Sequence, residues 1–319
     1  MRLHTLPLVV LLLSARTALA QTGPDLLIEK FDEDTAHWAD TIDEPTWISD
    51  GDHDSDPESM ELFYWDSHGR VKFDRENSDP NVWFGYRVLA MELSTNLPDF
   101  PKSLWDVAVV GAFKLGEDDR WRTSVLVGAG TANDAHFSNS DALYGIADFN
   151  AERKLTPDTS LHFGVHFDGN RNIWPDLPLP YLQYVARVDD TLGYALGVPR
   201  SAVTWRPLTP LVLHAEYNVP VNVNANASFY LNENLSLFGE YLDTTDGFYI
   251  DDAEKQRLFY SWQRVAGGVR FSNDWLDARL GAGWAFNQEF STGWDLRDTD
   301  TVVEPDDGPM FFITIQGTF

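Results

Sequence analysis

The run Asp50-Gly51-Asp52-His53-Asp54-Ser55-Asp56-Pro57-Glu58-Ser59-Met60-Glu61 spaces its carboxylates as a calcium loop does. Asp50, Asp52, Asp54, Glu58 and Glu61 stand where the EF-hand pattern needs oxygen ligands, and hard Ca²⁺ takes such oxygens. Ser55 replaces the Gly of the sharp turn, Pro57 replaces an apolar residue, and no amphipathic helices flank the run. A weak Ca²⁺ loop is one reading; a solvated acidic loop is the simpler one.

His162, His166 and Asp168 share one face of an extended segment. Alternate residues of a strand lie roughly 7 Å apart, too far for both histidines to chelate one ion. There is no GxSxG, HExxH or phosphate loop, and no local Ser–His pair of the kind a barrel-resident lipase needs. No catalytic residue is assigned, and the chain is not read as an enzyme.

The charged residues bound the partners. Against 23 Lys and Arg stand 50 Asp and Glu, a formal charge of −27, which makes nucleic acid an unsuitable partner. The absence of Cys removes disulfides and thiolate chemistry. Residues 21–81 are the most acidic part, with small clusters such as Trp47-Ile48 and Leu62-Phe63-Tyr64-Trp65 but no steady period. They are expected to form an acidic N-terminal extension, a plug or a periplasmic tail.

From Trp83 onward the chain alternates with period two, which must position everything polar on one face and apolar on the other. Leu211, Leu213, Ala215 and Tyr217 interleave with His214, Glu216 and Asn218. Val223 and Ala225 interleave with Asn222, Asn224 and Asn226. Segments of about ten residues with this dyad, joined by alternating short turns and long loops, mark a transmembrane barrel that is apolar toward lipid. Fourteen strands are expected, near 82–94, 104–115, 120–131, 142–154, 159–169, 181–188, 191–198, 201–206, 211–218, 221–231, 235–244, 257–271, 275–288 and 309–319. If the short hairpin around Pro199-Arg200 does not cross, there are twelve. Trp105, Trp121, Tyr184, Trp205, Tyr217, Tyr241, Trp262, Trp284 and Phe319 are expected to form aromatic girdles on the lipid face.

Both ends fit that reading. Residues 1–20 have a basic start, the apolar run Leu6 to Leu13 and Ala18-Leu19-Ala20, the pattern of a cleaved signal peptide. The last strand, Pro309 to Phe319, resembles the C-terminal signature of bacterial outer-membrane β-barrels: alternating apolar residues and a terminal Phe. Leu192 to Pro207 also resembles a segment of an uncharacterised bacterial outer-membrane barrel family, over about residues 175–245. The resemblance implies an all-β, antiparallel up-and-down barrel spanning 82–319 in the bacterial outer membrane, with membrane lipid and the barrel-assembly machinery as partners. It brings no substrate.

Alternation turns Asp106, Asp148, Asp168, Glu216, Glu240 and Asp277 inward, with Arg122, Arg187, Arg206 and Arg279 and the three asparagines 222, 224 and 226. These are the pore-lining candidates. Asp106, Asp168, Glu216 and Glu240 are expected nearer the outer ends, and the arginines nearer the periplasmic ends. The leading function is a passive channel or facilitator for small solutes. A non-transporting structural or adhesive surface barrel is the alternative, and a membrane-embedded hydrolase the third.

Overall fold

The computed structural model describes residues 38–49, 60–74, 81–134, 140–219, 222–250 and 256–319. Calls for ligands at Asp50, Asp52, Asp54 and Glu58, and for the 1–20 signal peptide, lie outside those residues. Glu61 is described, exposed on a strand.

The first half of the chain forms β1 (Ala39–Ile48), β2 (Met60–Lys72), β3 (Val82–Thr95), β4 (Ser103–Glu117), β5 (Trp121–Asn133), β6 (Leu143–Thr156), β7 (Thr159–Asp168) and β8 (Leu179–Arg187). The second forms β9 (Leu192–Val198), β10 (Arg200–Leu208), β11 (Leu211–Asn218), β12 (Asn222–Tyr230), β13 (Leu235–Tyr249), β14 (Arg257–Ser272), β15 (Leu276–Gly293), β16 (Thr299–Val303) and β17 (Gly308–Thr318). Each strand of the wall pairs antiparallel with its neighbours, and β17 closes the ring against both β15 and β1. The short β16 pairs only with the far end of β15. Sixteen strands therefore make the barrel among the described residues. Closure leaves no open edge.

The expected fourteen strands all find counterparts, and the Pro199 hairpin is in the wall. The count was two short because β1 and β2 come from the stretch read as an extension. In the wall Asp40, Ile42, Glu44, Thr46 and Ile48 of β1 are buried on the inner side. The outward positions carry Thr41, Asp43, Pro45 and Trp47, so neither face is clearly apolar. β2 is mixed in the same way, with Met60, Leu62, Tyr64, Asp66, His68, Arg70 and Lys72 buried inside. Its charges are neutralised locally: the Arg70 Nε donates to Asp40 at 3.1 Å. The plug reading therefore fails for residues 39–48 and 60–72, which include the supposed anchor Leu62 to Trp65.

Outward side chains along the other strands are mainly apolar and open to the surroundings, as at Val109, Val127, Leu182, Leu196 and Val265, and the outward Asp243 accepts from Gln263 on the same face at 3.1 Å. Near the long-loop end Trp47 packs between Phe63 and Phe311, with ring centroids 5.3 and 5.7 Å apart. Near the short-turn end Trp121 meets Phe163 edge-on at 5.9 Å. Trp262 corrects the girdle assignment. It is 1 % exposed and points inward, sharing its face with Arg264 and Ala266, because the outward row of β14 is the odd-numbered one.

The asparagine row of β12 lies opposite inward residues of β11, with Asn222, Asn224 and Asn226 facing Asn218, Glu216 and His214. Side chains directly across a ladder share a face. Cysteines placed at 222, 224 or 226 should react with water-soluble thiol reagents in the assembled barrel, while cysteines at 223 and 225 should not. Reversed labelling would mean a register slipped by one residue.

Candidate functional site: a latched luminal cavity

The long-loop end of the barrel is not an open mouth. β13 runs on to Tyr249, which bridges to Asn133 of β5 across the lumen. Behind this crossing, Leu89, Met91, Leu104, Phe248, Leu258, Tyr260 and Phe290 are fully buried against one another. Tyr260 stacks on Phe290 at 4.6 Å, and its hydroxyl donates to Gln288 at 2.7 Å. Those partners face inward because β15 bulges at Asn287, whose φ of 50° lies in the left-handed region. One extra residue reverses the alternation beyond it.

Beside this packing lies a cavity of about 350 Å³. Arg87 is its electrostatic hub, donating to Asp246 at 3.0 Å and to Asp106 at 3.4 Å. The Tyr64 hydroxyl donates to Asp246 at 3.1 Å and that of Tyr144 to Asp106 at 2.6 Å. On another wall Arg264 bridges Glu44 and Glu240, both at 2.8 Å, and lies 4.5 Å from the Phe312 ring centroid. Arg200 pairs with Glu216 at 2.8 Å. Buried charges held this way are costly to leave alone and strongly attracted to one another.

Three of the pore-lining candidates, Asp106, Asp168 and Asn222, line this cavity. Asp148 sits behind it, 3.0 Å from His166 and accepting from Tyr181 at 3.1 Å. Arg122 is buried near the short-turn end; Arg270 and Asp277 form a close ion pair there, and Arg279 lies 3.8 Å from Glu240. Arg206 is partly buried in the same half, whereas Arg187 pairs with Asp190 at the exposed rim. Asn224 and Asn226 face the wall of Glu216, His214 and Glu240. Glu240 lies nearer the short-turn end than expected, because β13 extends past residue 244 to Tyr249.

Sequence reasoning missed Glu44, Tyr64, Asp66, Asp246 and Arg264 as cavity residues. Asp246 was within reach: it continues the inward row Glu240, Leu242, Thr244. Ser160 Oγ lies 2.8 Å from His162 Nε2, a local Ser–His pair that the sequence did not reveal. The Glu152 carboxylate approaches that same nitrogen, at 4.0 Å, and not Nδ1, so the pair lacks the geometry of a Ser–His–acid triad.

The loop between β7 and β8, residues 169–178, folds over the cavity. Its turn begins where Asp168 accepts from the Asn170 N–H at 2.8 Å. Asn170 then donates to the Gly247 carbonyl at 3.1 Å and to Asp106 at 3.3 Å, and Asn172 donates to the Thr245 carbonyl at 2.7 Å. Arg257, fully buried, donates to the carbonyls of Arg171 and Asn170 at 2.9 and 2.8 Å and to the Asn170 side chain at 2.8 Å. Gly247 lies so close that a Cβ there would strike the Arg257 guanidinium, which makes glycine the residue this contact admits. Arg171 donates to the carbonyls of His166 and Leu177, and burial lowers its pKa.

A second clasp lies outside. The Trp174 N–H donates to Asp295 at 3.2 Å, and the Arg297 guanidinium stands 5.1 Å above the Trp174 ring. Burial pushes the Asp295 carboxyl up, but hydrogen bonds from Arg297 and from the Trp174 backbone more than offset it, leaving the pKa below the usual range.

No protein-family model matches the chain, and no curated protein does. Among solved structures it is similar to the NanC porin, at 8% identity over 88% of this chain and 100% of that one, with a TM-score of 0.32. It is similar to the outer membrane protein Omp33 of Acinetobacter baumannii at 8% identity, over 89% and 98%, with a TM-score of 0.35. A FadL homologue of Pseudomonas aeruginosa is similar at 10% identity, over 88% and 89%, with a TM-score of 0.38. These are bacterial outer-membrane β-barrels. Likeness at this level carries no weight for what the cavity holds; the geometry of the chain itself does.

Proposed function

We propose that the chain is an outer-membrane channel for small solutes, with the short-turn end in the periplasm and loop 169–178 narrowing the outer mouth. The observation that carries this reading is a cavity holding paired charges, enclosed by a wall whose outer surface is mainly apolar and carries aromatic side chains. Apolar side chains outside and paired charges inside are the arrangement lipid and water together demand. Membrane lipid and the barrel-assembly machinery are then its partners. The latch and the apolar packing favour a second reading, a barrel that conducts nothing and serves the surface structurally.

Liposome swelling separates the two. Vesicles carrying the purified barrel should swell in isotonic neutral solutes up to a size limit and should not swell in larger ones. Identical behaviour of barrel-bearing and empty vesicles, with the barrel demonstrably heat-modifiable, would leave the structural reading.

A further inference from the structure

The cavity has a preference of its own, and an electrostatic path leads to it. Among the described residues, the connections at the long-loop end carry nine Asp and Glu against three Lys and Arg. Such a surplus concentrates cations at the mouth and repels anions. Inside, the arginines are already engaged: Arg87 by Asp106 and Asp246, Arg200 by Glu216, Arg264 by Glu44 and Glu240, and Arg171 by two backbone carbonyls. Among the described residues, Asp66 and Asp168 line the same cavity with no arginine or lysine at ion-pair distance; Asp66 has His68 at 3.5 Å, and Arg87 and Arg171 act on Asp66 and Asp168 from farther away. An anion entering here would meet carboxylates on Arg87, Arg200 and Arg264, and Arg171 held to backbone carbonyls. A cation would find two carboxylates to pair with.

The cavity wall is also aromatic, with Tyr64 and Trp262 packed at 5.7 Å. Ring faces attract ammonium groups and shelter apolar bodies. Trp262 is 1 % exposed, and among the described residues its indole N–H has no hydrogen-bond partner. A buried donor left this way calls for an acceptor oxygen.

Resting on the channel reading, we propose that the luminal cavity is a binding site for small monovalent organic cations that also carry an acceptor oxygen, of the amino-alcohol class. The ammonium pairs with Asp66 and Asp168, the body lies against Tyr64 and Trp262, and the oxygen accepts from the Trp262 N–H.

Four isosteric probes test this on the purified full-chain barrel in detergent, by titration calorimetry: phenylethanolamine, phenethylamine without the oxygen, phenylethanediol without the charge, and mandelate with the charge inverted. Phenylethanolamine should bind tightest. Removing its charge should weaken binding about tenfold or more, and mandelate should not bind. Trp262→Phe keeps an aromatic face, though a smaller one, and removes the donor, so it should abolish the advantage of phenylethanolamine over phenethylamine. Asp168→Asn should weaken both amines and leave the diol unchanged. Equal binding of amine and diol, or tighter binding of mandelate, would overturn the proposal. Because binding is read without transport, a barrel that binds the amine but passes no solute keeps the site and loses the channel. A barrel that conducts without preferring the amine keeps the channel and loses the site.

Discussion

On the channel reading, Arg257→Ala should raise the open fraction of the barrel about a hundredfold. One buried guanidinium holds loop 169–178 by three charge-assisted hydrogen bonds, to two carbonyls and one side-chain oxygen of the loop. It lies 4.7 Å from the Phe259 ring centroid, which orients it. Charge-assisted bonds contribute about 1.5–3 kcal/mol each, but they share one side chain and are not additive. Losing the whole contact should cost the closed loop about 3 kcal/mol, a shift of roughly a hundredfold in the ratio of open to closed. Lysine at this position keeps the charge without the fork and should give an intermediate open fraction. Gly247→Ala should push the guanidinium aside and act in the same direction. Single-channel dwell times read all three. Unchanged dwell times in Arg257→Ala would mean that the loop is held by other contacts or does not gate.

Arg264→Met is expected to have the largest effect on stability. Arg264 is buried between Glu44 of β1 and Glu240 of β13, and Glu44 also accepts from Thr314 of β17 at 2.7 Å. That cluster ties the closing strands β17 and β1 to β14 and β13, beyond the intervening β15. Among the described residues, removing the cation leaves Glu44 with only the Thr314 hydroxyl and Glu240 with only the more distant Arg279, at a cost of about 3–5 kcal/mol. The variant should unfold at markedly lower urea, followed by loss of the heat-modifiable gel shift. Adding Glu44→Gln and Glu240→Gln should restore much of the loss, since the unpaired charges are the cause. If the triple variant is no better than Arg264→Met, packing against Phe312 matters more than the charges.

The wall from β3 to β15 was legible because lipid imposes one rule on one face: Leu213, Ala215 and Tyr217 must be apolar, while His214 and Glu216 must face water or each other. The Pro199 hairpin was legible for the same reason despite its short strands. β1 and β2 escaped because their inner positions mix Ile42, Ile48 and Leu62 with Asp40, Glu44 and Arg70, and Asp43 sits on the outward row. Alternation cannot be seen where both faces are mixed, and pairing decided the structure there. Trp262 and Phe290 were misread or missed for a related reason: inside a barrel whose far end is packed, aromatics can fill the lumen as well as the lipid boundary. The bulge at Asn287 then shifted the parity beyond it. The latch was not legible at all. Asn170, Asn172 and Arg257 lie in a loop and at a strand end, and their partners are backbone carbonyls of distant strands that no spacing rule brings together.

The most direct measurement is the single-channel current of the purified full-chain barrel in a planar bilayer. The latched channel predicts small discrete steps with long closures, and a reversal potential in a salt gradient that favours cations, as the acidic mouth requires. A folded, heat-modifiable barrel that gives no steps, either as wild type or as Arg257→Ala, would contradict it.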